Sequence, residues 1–341
     1  PGEVNETVLR AAGGLDIFVA KYNTDGSLLW AKRAGGTAFD NAPAVAAEGR
    51  TGSVAVVGEF GLEATFGPGE ANETVLSSPN QDAYVARYDR DGKLLWAKQI
   101  GSEHGGDYGE GVAVGQRLGT IAVCGDMEDT VTFGEGEANE TTLTASGERD
   151  PFVALYDPAG GLLWARAAGG PKADLCAGVA IADADKGAAI AGFFSETAVF
   201  GKGEPNETTL VSPPGVCEDG FIARYGADGS LVWARAMGAA SRSARVEGLA
   251  VDPAAQALVV AGDFDTLAVF GAGDSTETTL TGGGCCEIFV AKYALGEQTV
   301  PLDLAAAALL AVPAAAAVYR RVRRGRTADR KPLHRRCNRP W

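Results

Sequence analysis

The residues that could carry chemistry are few, and they recur. "GPGEANE", "GEGEANE", "GKGEPNE" and "GAGDSTE" are four loops of one design. They hold Glu70 and Glu73, then Glu135, Glu137 and Glu140, then Glu204 and Glu207, then Asp274 and Glu277. Clustered carboxylates suit a hard cation such as calcium, which takes oxygen ligands. Without a cation they form a solvated acidic edge. Asn5, Asn72, Asn139 and Asn206 each stand two residues before a Thr, the acceptor pattern for N-linked glycosylation. They lie 67 residues apart, so the matches are copies of one unit and count little more than once. "TETTL" (276–280) keeps the pattern but loses the Asn. The motif therefore reads first as a loop-to-strand junction, and as a glycan site where the chain enters a glycosylating secretory pathway.

The catalytic inventory is thin. The chain has two histidines, His104 and His334. His104, in "GSEHGGDYGE", has Glu103 and Asp107 nearby, but nothing marks a nucleophile. Asp16, Asp82, Asp150, Asp219 and Glu287 each open an "FVAKY"-like run. They fit a ring of metal ligands or, more simply, turn-capping carboxylates. The turns Asn23–Gly26 and Asp89–Gly92 resemble the start of a calcium loop but lack its closing Glu, so they read as hairpin turns. Six cysteines include no CxxC pair, which leaves zinc-ribbon and thioredoxin-type readings without support. Cys217 and Cys285 fall in the same slot of neighbouring units and are the candidate disulfide. Cys124 stands where other units have Val57, Ala191 and Ala261, so a buried thiol is expected.

These residues ride on a repeat. "DIFVAKYNTDGSLLWAK" (16–32) recurs at 82–98, 150–166 and 219–235, and "EIFVAKY" (287–293) begins a fifth copy. Each period predicts two long hairpins and a short pair: "FVALY" turning into "GLLWAR", "GVAIADADKGAAIAGFF", then "TAVFG" with "TTLVS". Runs this apolar predict strands buried on both faces. Tandem units of at least four antiparallel strands predict an all-β chain, a β-propeller of about four to five blades. The units span approximately 5–71, 72–138, 139–205 and 206–275, with a partial one at 276–294, giving a repeat domain over 1–294.

The pattern D-x-F-V-A-K-Y-x-x-D-G-x-L-L-W-A-K, followed by G-V-A-V…G-x-x-x-V-x-G-x-F, resembles the SBBP family of β-propeller repeats. The resemblance covers roughly residues 5–294. It implies a bacterial-type surface or secreted repeat protein, a scaffold rather than one chemistry. The F-G…N-E-T-T-L insert departs from the shorter form of that repeat.

Charge divides the chain. From Arg320 onward there are 10 Lys+Arg against Asp329 alone, whereas the preceding 319 residues carry 20 basic and 43 acidic groups. So acidic a body excludes a nucleic-acid partner. After a linker at 295–303, residues 304–319 run without a charge and meet the basic tail, 320–341. This order predicts a single-pass anchor with a cytoplasmic basic end. The run is short of the roughly 20 apolar residues a span wants, and it contains Pro313, so an Ala-rich helix with a basic tail is the other reading. Residues 1–16 show no signal peptide, and the chain begins within a repeat, as a fragment or processed form would.

The expectation is a non-enzymatic extracellular or cell-surface glycoprotein that binds a protein or carbohydrate and needs no cofactor. A propeller enzyme of lyase or glycosidase type and a calcium-dependent binding module are the alternatives.

Overall fold

A strand such as Phe152-Val-Ala-Leu-Tyr156 offers aromatic groups to one face and aliphatic groups to the other, so both faces need a cover. The chain covers them by laying sheet against sheet. The computed structural model describes residues 5–239, 243–283 and 287–295, all within one compact unit, Pro1–Thr299. Among these residues the regular structure is strand alone, in antiparallel sheets. Among the described residues no helix is long and apolar enough to cross a membrane; residues 304–319 and the basic tail lie outside them.

Three sheets share one plan, with strands side by side in chain order. The first is Asn41–Ala47, Val54–Phe66, Thr74–Tyr88 and Leu94–Ile100. The second is Tyr108–Val114, Ile121–Met127, Asp150–Tyr156 and Leu162–Ala167. The third is Leu175–Ala182, Gly187–Phe194, Asp219–Tyr225 and Leu231–Ala239. A leading pair, Ile17–Tyr22 with Leu28–Ala34, matches the third and fourth strands of this plan. A trailing sheet, Ala244–Asp252, Ala257–Phe264 and Glu287–Ala294, matches the first three.

A short hairpin arm projects between the second and third strands. It is Thr130–Phe133 with Thr141–Thr144, Thr197–Phe200 with Thr208–Val211, and Leu267–Phe270 with Thr278–Thr281. In the first sheet the arm continues the long strands, from the Glu63–Ser77 pair to the Phe66–Thr74 pair. Each arm also reaches the fourth strand of the sheet before it. Gly35 bridges to Thr65 and Gly169 to Val199. Gly238 and Ala239 pair with Val269 and Ala268, which lengthens the third sheet to six strands.

The joints between sheets form four apolar cores. The earlier sheet supplies small aliphatic groups, such as Val57, Ala83 and Val85. The later sheet supplies aromatics, such as Phe152 and Tyr156, with the arm residue Phe133 set edge-on to Phe152 at 5.2 Å between centroids. Phe66–Tyr84, Phe200–Phe221 and Phe270–Phe289 repeat that contact at 4.8 to 5.0 Å. One tryptophan then pins each of three joints, whereas Trp233 Nε1 at the fourth is buried and makes no hydrogen bond. Nε1 of Trp30 donates to the Arg90 carbonyl, that of Trp96 to Pro158 and that of Trp164 to Ala227, at 2.9 to 3.1 Å. Each acceptor lies in the hairpin turn of the next sheet.

The turn glycine is required by that contact. Gly160 has φ +91°, and a Cβ there would come within 2.9 Å of the Trp96 ring. Gly136 has a similar φ, +76°, with open space around it. Gly160→Ala therefore costs more stability than Gly136→Ala, by roughly 1–3 kcal/mol, since only the first adds an overpacked contact to the same backbone strain. Urea unfolding of the two variants measures the difference.

Candidate functional site

The acidic loops meet the protein before they meet solvent. Each is a turn at the tip of an arm, and each spends two carboxylates on its own construction. The last carboxylate of each loop caps the turn: Glu140 accepts from the Gly136 N–H at 2.6 Å, Glu207 from Gly203 at 2.6 Å and Glu277 from Gly273 at 2.7 Å. Glu73 does the same with Gly69.

The carboxylate three residues before it is the bridging one. Glu137 Oε2 accepts the Leu162 N–H at 2.6 Å, at the start of its own sheet's fourth strand, while Oε1 meets Lys98 Nζ at 2.7 Å on the preceding sheet. Glu70 joins the Leu94 N–H to Lys32 in the same way, and Glu204 joins the Leu231 N–H to Arg166. Asp274 stands 4.0 Å from Arg235, the weakest of the set. The Lys98 ammonium and the Leu162 N–H hold the Glu137 carboxyl below its usual range against the opposing effect of burial. Glu135 makes none of these contacts and is exposed. Sequence reading found the acids but not their partners. The signal was available, because Lys32, Lys98, Arg166 and Arg235 recur beside the tryptophans in step with the loops.

The asparagines are exposed, yet their amides are struts. Asn139 Nδ2 donates to the Leu162 carbonyl at 3.0 Å; Asn5, Asn72 and Asn206 do the same with Leu28, Leu94 and Leu231 at 2.9 to 3.1 Å. The following Thr closes the turn, as Thr141 Oγ1 does on the Asn139 carbonyl at 2.9 Å. The Asn-x-Thr motif thus anchors the loop to the strand that carries Trp164. In the fifth copy Thr278 keeps the hydroxyl contact, on Thr276.

Three of the strand-opening acids act as turn caps. Asp16 accepts from Ala12 N at 2.8 Å and pairs with Arg33. Asp150 accepts from Ser146 N at 2.6 Å, and Glu287 from Gly283 N at 3.2 Å. Asp82 accepts from Gln99, and Asp219 is buried. A second series escaped the sequence reading: Asp40, Asp107 and Asp174, also 67 residues apart. Each buried carboxylate ties two backbone N–H groups across a joint. Asp40 takes Gly36 and Gly61; Asp107 takes Ser102 and Glu128; Asp174 takes Gly170 and Ser195.

Two of these acids are the most strongly raised among the described residues. Burial pushes Asp174 up to about 8 and Asp107 to about 7, each with a smaller push from the capping acid beside it, Asp150 or Asp82. Asp150 itself rises to about 6 by burial. The Asp107 carboxylate also touches Ser102 Oγ at 2.9 Å. The third member of a hydrolytic triad does not follow, since His104 meets that hydroxyl through its backbone carbonyl.

No family model matches the chain, and no curated protein matches it. Its chemistry is read from its own geometry.

Among the described residues no cluster of three or more His, Cys, Asp or Glu is disposed to hold a metal ion. Cys217 is disulfide-bonded, and Cys285 and Cys286 lie outside the described residues. Cys124 is a buried free thiol, as its strand position predicts, and Cys176 is another.

Glu137→Ala removes a bridge and strands a partly buried N–H, so a loss of about 1–3 kcal/mol is expected, against about 0.5 kcal/mol or less for Glu135→Ala. Chemical denaturation of both variants checks this. The raised acids set a pH dependence. In the folded state Asp107, Asp150 and Asp174 bind protons more tightly than in the unfolded chain, so their protonated form favours folding. That contribution is present below the unfolded carboxyl pKa and is lost as pH rises through about 6 to 8. The melting temperature should fall between pH 5 and pH 8, in the window about those values, and do so less in Asp174→Asn; calorimetry across this range is the measurement.

Proposed function

We propose that this chain is a non-enzymatic β-propeller array of the SBBP type, with four to five sheets as blades, displayed outside the cell as a scaffold that binds a protein or carbohydrate ligand. The observation that carries this reading is the sameness of the perturbed carboxylates. An active site gathers unlike groups with separate roles as acid, base or nucleophile. Asp40, Asp107 and Asp174 instead repeat one task, tying backbone N–H groups at successive joints. Their raised pKa values follow from structural burial.

Tandem four-stranded meanders support the propeller reading. The disulfide at Cys217 supports an oxidising compartment, where such bonds persist. The apolar run 304–319 ahead of "RRVRRGR" supports a C-terminal anchor. The exposed Asn5, Asn72, Asn139 and Asn206 are open to a glycan in a host that attaches one.

The intact chain, labelled and applied to arrays of glycans and of surface proteins, is expected to bind without consuming its ligand. Incubation with polysaccharides should release neither reducing ends nor unsaturated sugars. Steady product release that survives repurification would sink the scaffold reading and favour the lyase or glycosidase one.

A further inference from the structure

Two thiols meet in the joint between the second and third sheets. Cys124 lies on Ile121–Met127 and Cys176 on Leu175–Ala182, and both belong to one apolar core. They are 0% and 3% exposed. The Asp126 carboxylate accepts the Cys176 N–H at 2.7 Å, which ties the two strands together beside the sulfurs. Both sulfurs border Gly178. Its carbonyl oxygen lies 3.6 Å from Cys176 Sγ. Gly111 is the strand partner of Cys124, and a Cβ built there would sit 3.0 Å from Cys124 Sγ and 3.3 Å from the Gly178 Cα.

The repeat supplies a second observation on this pairing. Register places Val57 and Gly109, then Cys124 and Cys176, then Ala191 and Val246 at equivalent positions of three successive joints. In the first of these a Cβ at position 109 would come within 2.5 Å of Val57 Cγ2, so side chains in the two slots point at each other. Packing alone asks only for volume, and Val with Gly or Ala with Val provides it. The middle joint is filled by sulfur from both sides. Burial and the facing Cys176 sulfur push the Cys124 thiol up, so it stays protonated and unreactive once the joint is closed. Any chemistry of the pair therefore belongs to folding, before the sheets meet.

We propose that Cys124 and Cys176 form a disulfide that staples the second sheet to the third. The oxidant is a small-molecule disulfide of the glutathione class. One protein thiolate attacks a sulfur of that disulfide, which gives a mixed disulfide and releases one small thiolate. The other protein thiolate then attacks the protein sulfur of the mixed disulfide and expels the second small thiolate. The protons lost by the two cysteines end on the two released thiols, so the protein pair is oxidised and the small disulfide is reduced. In the cell, the supply of this oxidant rests on the extracellular reading, in keeping with the disulfide at Cys217.

The full chain, reduced and denatured, is refolded in a buffer of reduced and oxidised glutathione, blocked with iodoacetamide, and mapped by peptide mass spectrometry. The peptides holding Cys124 and Cys176 are expected as one linked species, lighter by one molecule of hydrogen than the two thiol peptides together. Recovery of both as alkylated thiols, or bound to other cysteines, would overturn the proposal. Cys124→Ala combined with Cys176→Val installs the pair used at the next joint, which keeps the packing and removes the bond. The oxidised variant should melt at least about 4 °C below the oxidised wild type, and the gap should close in a phosphine reductant. Equal melting of the two oxidised proteins would also overturn the staple. Chain isolated from its own cells separates this inference from the location on which its oxidant depends. Thiols there, with a bond that forms on refolding, would count against the extracellular reading and leave the pair intact.

Discussion

The structure depends on one contact, an aliphatic sheet face laid against an aromatic one. Neither half is stable alone, because a four-stranded sheet with apolar residues on both sides has no face to give to water. Val57, Ala83 and Val85 on one side and Phe152 and Tyr156 on the other are buried completely or nearly so. The tryptophan adds direction to this burial. Its ring lies on the glycine of the next turn and its Nε1 donates to a carbonyl of that turn. Burial alone would let the sheets slide; the donor sets their register.

The charged groups follow from the same contact. Wherever one sheet meets another, strand ends and turns bring backbone N–H groups into places that water reaches poorly, and each needs an acceptor. Asp107 and Asp174 serve those at the joint, and Glu70, Glu137 and Glu204 serve those at the arm tips. The basic residue paired with each Glu lies on the neighbouring sheet, so the ion pair also spans the joint. Such half-exposed pairs add modestly to stability in water. Their larger service is to keep the glutamate aimed at the N–H.

Much of the fold was legible in the sequence because the repeat states each feature several times. The hairpins over 175–194 and the short pairs 197–200 with 208–211 lie where the alternation and turn residues predict them. The capping role of Asp16 and Asp150 was legible for the same reason, since one placement in every unit serves the unit. The acidic loops were legible as a set but not in their use. A glutamate in a glycine-rich loop looks solvated in one dimension, and the Leu162 N–H and Lys98 that engage Glu137 lie 25 and 39 residues away. The Asp40, Asp107 and Asp174 series was missed although its spacing is as regular as that of the asparagines, because a single acid ahead of a strand carries no local mark of burial.

The sequence by itself determined an all-β chain, the phase of its units, the residues that turn and the ones that pair within a hairpin. These depend on neighbours a few residues apart, where alternation and turn chemistry act directly. Only the tertiary structure decided which carboxylates are structural and why glycine must occupy position 160. Those outcomes rest on contacts between sheets, made across distances in the chain that no local pattern encodes.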